Sequence, residues 1–253
     1  MSRRSKRRGG AGPNRRGAFR VPARLPSWNF SPAESAAILP AMAIWISQQG
    51  ITLGVGVASW ASYLGGLSST VAQAVGGQQP AYSAGGGVGG RPLITFDGTD
   101  DALEGAIAKG SAWSDYEQGW VGARTAFSAI GDPILGFLNA GTYRWSFSDR
   151  TLATVRFNVN GGANQDYAIT DGVNVHLSGR SVLNVQTLEA YGVVVASAAS
   201  VTTSRADPGT VRFGSITAGP SITAQAFYMG ASLTTVQRTY LRALLTFYTG
   251  IAC

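Results

Sequence analysis

With 253 residues, 13% of them charged and 34 of them glycine, the chain suits one large β-sandwich with a sizeable core and suits long helices poorly. A single cysteine, Cys253, excludes an internal disulfide and any cysteine-based metal centre. The net charge of +7 comes wholly from residues 1–24, which hold nine basic and no acidic side chains; the other 11 basic and 13 acidic groups net −2, which excludes a basic nucleic-acid-binding body.

Residues 1–27 read as a flexible arm. Arg3, Arg4, Lys6, Arg7, Arg8, Arg15, Arg16, Arg20 and Arg24 repel one another among glycines and prolines, with almost nothing to build a core. Either the arm is a solvated tail, or it has an acidic partner: nucleic acid, a membrane surface, or an acidic groove on another subunit. No apolar run and small-residue cleavage site follow closely, so it does not read as a secretory signal. Residues 28–253 read as one domain. Ala36–Ile46 is its most apolar stretch, but it contains Pro40 and is too short to span a bilayer, which assigns it to the core.

Ile51, Leu53, Val55 and Val57 alternate with small residues, the period of a half-buried strand. Residues 64–90, rich in Gly, Ser and Gln, predict a long loop with one short strand. Leu93–Phe96 is a strand that stops in the turn dipeptide Asp97-Gly98. Strand-like segments then recur at 120–127, 134–139, 143–147, 154–159, 173–177, 188–196, 210–213 and 226–229. The breaks between them carry turn chemistry such as Asp171-Gly172 and Asp207-Pro208-Gly209. The pattern predicts an all-β, two-sheet antiparallel jelly-roll sandwich. Near the end, Thr234 and Gln237 stand at capping-box spacing, and Val236, Tyr240, Leu241, Leu244 and Leu245 recur at helical spacing. One short C-terminal helix is expected on a sheet edge or across its end.

The order of segments carries a resemblance. Pro40-Ala41-Met42-Ala43-Ile44-Trp45-Ile46 is followed by Val57-Ala58-Ser59-Trp60, then by Gln79-Pro80-Ala81-Tyr82. Next comes Arg91-Pro92-Leu93-Ile94-Thr95-Phe96-Asp97-Gly98-Thr99-Asp100-Asp101, and the body closes with Phe227-Tyr228-Met229-Gly230, Ser232-Leu233-Thr234 and the helix. This resembles the laminin-G-like, concanavalin A-like jelly rolls of bacteriophage structural proteins and secreted bacterial proteins, over about residues 38–250. The resemblance implies two stacked antiparallel sheets and a binding role, often toward glycans, and does not fix the ligand. The arginine-rich arm lies outside that pattern and looks like the arms of virion proteins that touch packaged nucleic acid or neighbouring subunits.

Four groups of residues are candidates for chemistry. Asp97, Asp100 and Asp101, with Glu104 nearby, could hold calcium, which takes several carboxylate and carbonyl oxygens; a hydrogen-bonded turn is the preferred reading. Calcium is the only cofactor in question. Asp115 and Glu117 share a strand face as a glycosidase pair would, but loop-edge solvation explains them better. Tyr143 and Trp145, with Phe147, could form a platform for stacking sugar rings; they, Trp113 and Trp120 are otherwise core. His176 has no partner for a metal site or a triad. Phosphate loops, dinucleotide fingerprints and nucleophile elbows are absent.

The resulting expectation is a non-enzymatic virion structural protein, such as a decoration, fibre, spike or minor tail component. Its arm would tether it to other virion subunits, and its jelly roll would engage a host-surface glycan or a protein. The rival readings are an icosahedral shell protein whose arm binds packaged nucleic acid, and a glycan hydrolase. A homo-oligomer without a membrane span is expected in either structural role.

Overall fold

A computed structural model describes residues 28–107, 115–128, 133–139, 142–159, 164–183, 185–199 and 209–253, with the backbone alone at 139 and 142–145. The arm and its nine basic residues lie outside the described residues. In chain order the elements begin with α1 (Pro32–Ile38), β1 (Met42–Ile46), β2 (Ile51–Leu53), β3 (Val57–Ala61), β4 (Thr70–Ala72), β5 (Ala81–Ser83), β6 (Leu93–Phe96) and β7 (Ala102–Ile107). There follow β8 (Tyr116–Ala126), β9 (Pro133–Asn139), β10 (Thr142–Thr151), β11 (Thr154–Val159), β12 (Gln165–Ala168) and β13 (Val175–Val182). The last are β14 (Val185–Ala190), β15 (Val193–Ala199), β16 (Gly209–Gly214), β17 (Ser221–Ala231) and α2 (Thr235–Thr249).

The strands form two wholly antiparallel sheets, as the turn spacing predicts. The front sheet runs β15-β14-β13-β8-β17-β6-β5, with β1 beside the second half of β17. The back sheet runs β12-β11-β10-β9-β16-β7-β4-β3-β2. Between them lies a core of aromatic and branched side chains. Phe213 of the back sheet stacks on Phe227 of the front sheet at 4.1 Å between ring centres, with Trp45 edge-on to Phe213 at 5.0 Å. The Trp45 indole N–H donates to the Trp60 carbonyl, and the Trp60 indole N–H donates to the Ile46 carbonyl, each at 3.1 Å. This exchange stitches β1 of the front sheet to β3 of the back sheet without leaving an indole N–H unsatisfied.

The front sheet is buried on its outer face as well. Met42, Ile44 and Ile46 of β1, with Val121, Ala226 and Tyr228, form a second cluster beneath Tyr240, Leu241, Leu244 and Leu245 of α2. That is why β1 reads as an unbroken apolar run rather than an alternating one. The helix therefore lies over the face of the front sheet, not on its edge or end as expected. Its boundaries follow the sequence: Thr234 and Gln237 make the reciprocal capping box, and Gly250 closes the helix at φ 73°. Val236, grouped with the core positions on spacing, is exposed.

The other departures are local. The alternating 51–57 stretch is not one strand but the β2–β3 hairpin, whose tip leaves Leu53 and Val55 in solvent. The 188–196 segment is likewise a hairpin, turning at Tyr191-Gly192, where both residues have positive φ. Residues 64–90 hold β4 and β5 rather than one strand. Helix α1 is an addition to the sequence-predicted elements, although its start is written in Ser31-Pro32-Ala33-Glu34. The Ser31 hydroxyl accepts from the Glu34 N–H at 3.2 Å, and the Glu34 carboxylate accepts from the N–H groups of Asn29 and Phe30.

Burial under α2 sets a stability test. Leu244→Ala should cost about 2–5 kcal/mol, as large-to-small changes at closed sites do, while Val236→Ala should change stability by less than about 0.5 kcal/mol. Urea unfolding followed by circular dichroism measures both.

Candidate functional site

The acidic cluster is real in space. Asp97, Asp100 and Asp101 bring carboxylate oxygens within 4.8 Å of one another on the β6–β7 turn. Much of their capacity is in use. The Asp101 carboxylate accepts from the Asp97 N–H at 2.8 Å, and Asp97 accepts from the Thr99 N–H at 2.7 Å. The backbone carbonyls of Asp97, Gly98 and Asp101 accept from Ser221 Oγ, Gly219 N–H and Ser215 N–H. A calcium ion wants six to eight oxygens, so the three carboxylates fit it only with most of the shell supplied by solvent. The geometry is foremost that of a hydrogen-bonded turn. Burial pushes the Asp101 carboxyl up to about 6, and the neighbouring Asp97 and Asp100 add to the rise.

The acidic pair considered for hydrolysis does not meet a cleft. Glu117 of β8 is fully buried beneath α2, where the Arg238 guanidinium donates to both its oxygens at 3.1–3.3 Å and Ser178 adds a hydrogen bond at 3.3 Å. Asp115 accepts from the Leu183 N–H at 2.9 Å in the turn before β14. Solvation at a loop edge thus fits Asp115 but not Glu117, which alternation on β8 turns outward onto a face that the helix covers. Glu189 of β14 lies in the same layer, between Arg180 and Arg242. Arg238 and Arg242 stand four apart on α2, so one helix face anchors on two buried carboxylates.

His176 belongs to this layer too. Its Nε2 lies 2.9 Å from the Tyr228 hydroxyl, and burial, with Arg242 nearby, pushes its pKa down to about 3. It is a packed, neutral strand histidine. Gly119 makes room for the pair: a β-carbon there would lie 2.2 Å from the Tyr228 ring. Of the aromatic candidates, Trp120 is core and donates its indole N–H to the Thr223 carbonyl at 3.0 Å. Tyr143 and Trp145 sit on β10 beside Leu138 and Phe137 of β9; their side chains, and Trp113 altogether, lie outside the described residues.

A recess that sequence reading missed opens where the sheets part at the far edge. It has a volume of about 200 Å³ and is lined by Ser47, Gln48, Gln49, Ile51, Leu53 and Tyr82. The β1–β2 turn supplies the amides, β2 the apolar wall, and β5 the phenol ring. The polar groups divide by whether they are already engaged. Ser47 donates to the Pro92 carbonyl at 2.7 Å and Gln48 to the Tyr248 carbonyl. The Gln49 carboxamide and the Tyr82 hydroxyl make no hydrogen bond among the described residues. None of the lining residues is charged. An aromatic ring, an exposed Leu53 and uncommitted amide and hydroxyl groups suit a neutral, polyhydroxylated ligand, whose rings present apolar faces and polar rims. The only sequence cue was Gln48-Gln49 ending an apolar run in amides.

No protein family and no curated protein sequence matches the chain. Solved structures do resemble it in fold. Trypanosoma rangeli sialidase in complex with a difluorinated nononic acid is 11% identical at a TM-score of 0.56, over 82% of this chain and 33% of the sialidase. The binding domain of botulinum neurotoxin DC in complex with SialylT is 7% identical at a TM-score of 0.55, over 82% of this chain and 51% of that one. The chain thus spans about a third of the sialidase and about half of the toxin domain. At such identities the likeness establishes the β-sandwich fold alone.

The buried titratable groups predict opposed pH slopes. The Asp101 pKa is raised to about 6, so its contribution is fully present below its ordinary 3.8 and is lost as pH rises through 6. The His176 pKa is lowered from 6.5 to about 3, so its contribution is present above 6.5 and is lost as pH falls toward 3. Relative to wild type, Asp101→Asn should therefore gain more at neutral pH than at about pH 4, and His176→Gln should show the reverse. Urea titrations at both pH values read the two differences.

Proposed function

We propose that the chain is a glycan-binding structural module of a virion, held to its particle by the basic arm and presenting the Tyr82 recess outward. The recess carries the binding half of this reading: it joins an aromatic wall to free amide and hydroxyl groups with no fixed charge. Absence of charge points to neutral hexose-type rings rather than acidic sugars, because a buried or half-buried carboxylate needs a cationic partner. The fold likeness to a sialidase and to a toxin binding domain is compatible with glycan binding in general, while the preference for neutral rings rests on the recess alone. The particle half rests on the arm, whose nine cations and no anions suit an acidic partner better than a solvated tail. A non-catalytic role is supported by Glu117, which is locked in an ion pair beneath α2 and so cannot serve a substrate. The shell-protein reading draws on the same arm, and purified chain closing into nucleic-acid-filled particles would favour it.

Screening against an oligosaccharide array, followed by calorimetry, tests the binding half. Neutral glycans should bind without being cleaved, and Tyr82→Ala and Gln49→Ala should each weaken binding about tenfold, the worth of one stacking contact or uncompensated hydrogen bond. Retention of full affinity in both variants would move the site elsewhere. The arm predicts binding to a polyanion such as heparin that falls steeply with salt and disappears when residues 1–27 are removed. Salt-independent binding would remove the tether.

A further inference from the structure

Among the described residues the edge strands β2, β5 and β12 are protected. β2 and β5 are three residues long, and β12 is four residues long and carries Asp166, paired with Arg156 at 2.7 Å. Short or charged edges discourage pairing with other chains. Among the described residues β15 is neither short nor charged, and a single β-bulge at Val195, in its pairing with β14, is its one interruption. It is the outermost strand of the front sheet, seven residues long, with the sequence Val-Val-Val-Ala-Ser-Ala-Ala and no charge or proline. Val193, Val194 and Val195 are 65%, 52% and 43% exposed, and Leu183 and Val185, on the adjoining turn and strand, are 81% and 46% exposed.

A second observation lies at the head of the same strand. Tyr191 turns the β14–β15 hairpin at φ 50°, a conformation that asparagine or glycine adopts cheaply and a bulky ring does not. Its ring is part-exposed and, with Tyr167, Ile169, Thr170, Val173 and Val175, lines a recess of about 110 Å³. The strain is borne at a place that puts an aromatic side chain on the rim of this mixed recess, where its hydroxyl donates to the Asn174 carbonyl at 2.6 Å.

We propose that β15 is the seam of a two-fold dimer, in which it pairs antiparallel with β15 of a second copy of this chain. Among the described residues no strand pairs with the outer side of β15, and its free backbone groups on either side of the bulge suit another backbone. The absence of charge along β15 gives an acidic or basic partner nothing to pair with, whereas a second copy brings no like charge opposite. A two-fold axis makes self-pairing antiparallel, so the Leu183 end of one copy meets the Tyr191 end of the other, and an apolar side chain can enter the recess. The exposed apolar side chains of this hairpin offer at most on the order of 500 Å² per copy, so two copies bury no more than about 1,000 Å², the size of a weak, reversible interface. The dimer is accordingly of low affinity. Since β15 and β5 occupy opposite edges of the front sheet, the Tyr82 recess stays open at both ends of the pair. The inference stands whether or not that recess binds glycans.

Sedimentation of the full chain over about 1–200 µM, in about 0.5 M salt to screen the arm, tests the proposal. A concentration-dependent species at twice the 26.3 kDa mass is expected. Val194→Lys should raise the dissociation constant at least about tenfold with an unchanged circular dichroism spectrum, while Val236→Lys on α2 should leave it unaltered. Val193→Lys repeats the test should Val194→Lys unfold. Amide exchange at β15 should slow as wild-type concentration rises. A monomer throughout the range, a dimer indifferent to both β15 lysines, or open-ended polymers would each overturn the two-fold seam.

Discussion

The exchange of hydrogen bonds between Trp45 and Trp60 fixes the two sheets relative to each other. Each indole reaches into the core and spends its polar group on a carbonyl near the other indole, so two large rings are buried without an orphan donor. The Phe213–Phe227 stack sits against this pair and joins β16 to β17. At the opposite end Arg124 of β8 reaches Asp149 of β10 at 3.1 Å and Asp171 of the β12–β13 loop at 2.6 Å, a charged counterpart to the aromatic stitch. It also accepts the cost of full burial because its remaining N–H groups find the carbonyls of Thr151 and Leu152.

The sandwich was legible because its signals are local. Turn dipeptides mark where strands stop, and the capping box and apolar spacing of α2 name both its start and its inward side chains. What the sequence hides is which face is covered. Glu117 looks like a surface carboxylate until Arg238, more than a hundred residues away, lies over it. Its proper reading needed the long-range fact that α2 crosses the outer face of the front sheet. The hairpins at 51–61 and 185–199 are hidden for another reason: apolar residues continue on both sides of the turn, and Tyr191 occupies a position where Asn or Gly normally announces the reversal.

The Tyr82 recess shows the same limit from the functional side. Its residues come from three segments that only the parting of the sheets brings together, and none has a motif of its own. The Asp97–Asp101 group, by contrast, is contiguous and conspicuous, yet its oxygens mainly hold a turn in shape. Conspicuous chemistry in this sandwich is consumed in tying loops and layers together, and the uncommitted polar groups are ordinary amides and rings at the rim.

The placing of β17 has a consequence for how the fold is reached. This strand lies between β8 on one side and β1 and β6 on the other, and every one of them precedes it in the chain. During synthesis β1, β6 and β8 therefore emerge before the strand that joins them exists, and the carboxylates of Glu117 and Glu189 wait uncovered until α2 follows. The front sheet must close in one late step that unites distant segments, a high-contact-order route that is slow and leaves strand edges open meanwhile. Until then β1, the β5–β6 pair and the β8–β13–β14–β15 group stand apart as pieces of one sheet, and its assembly is governed by the order of its elements as much as by their affinity for one another.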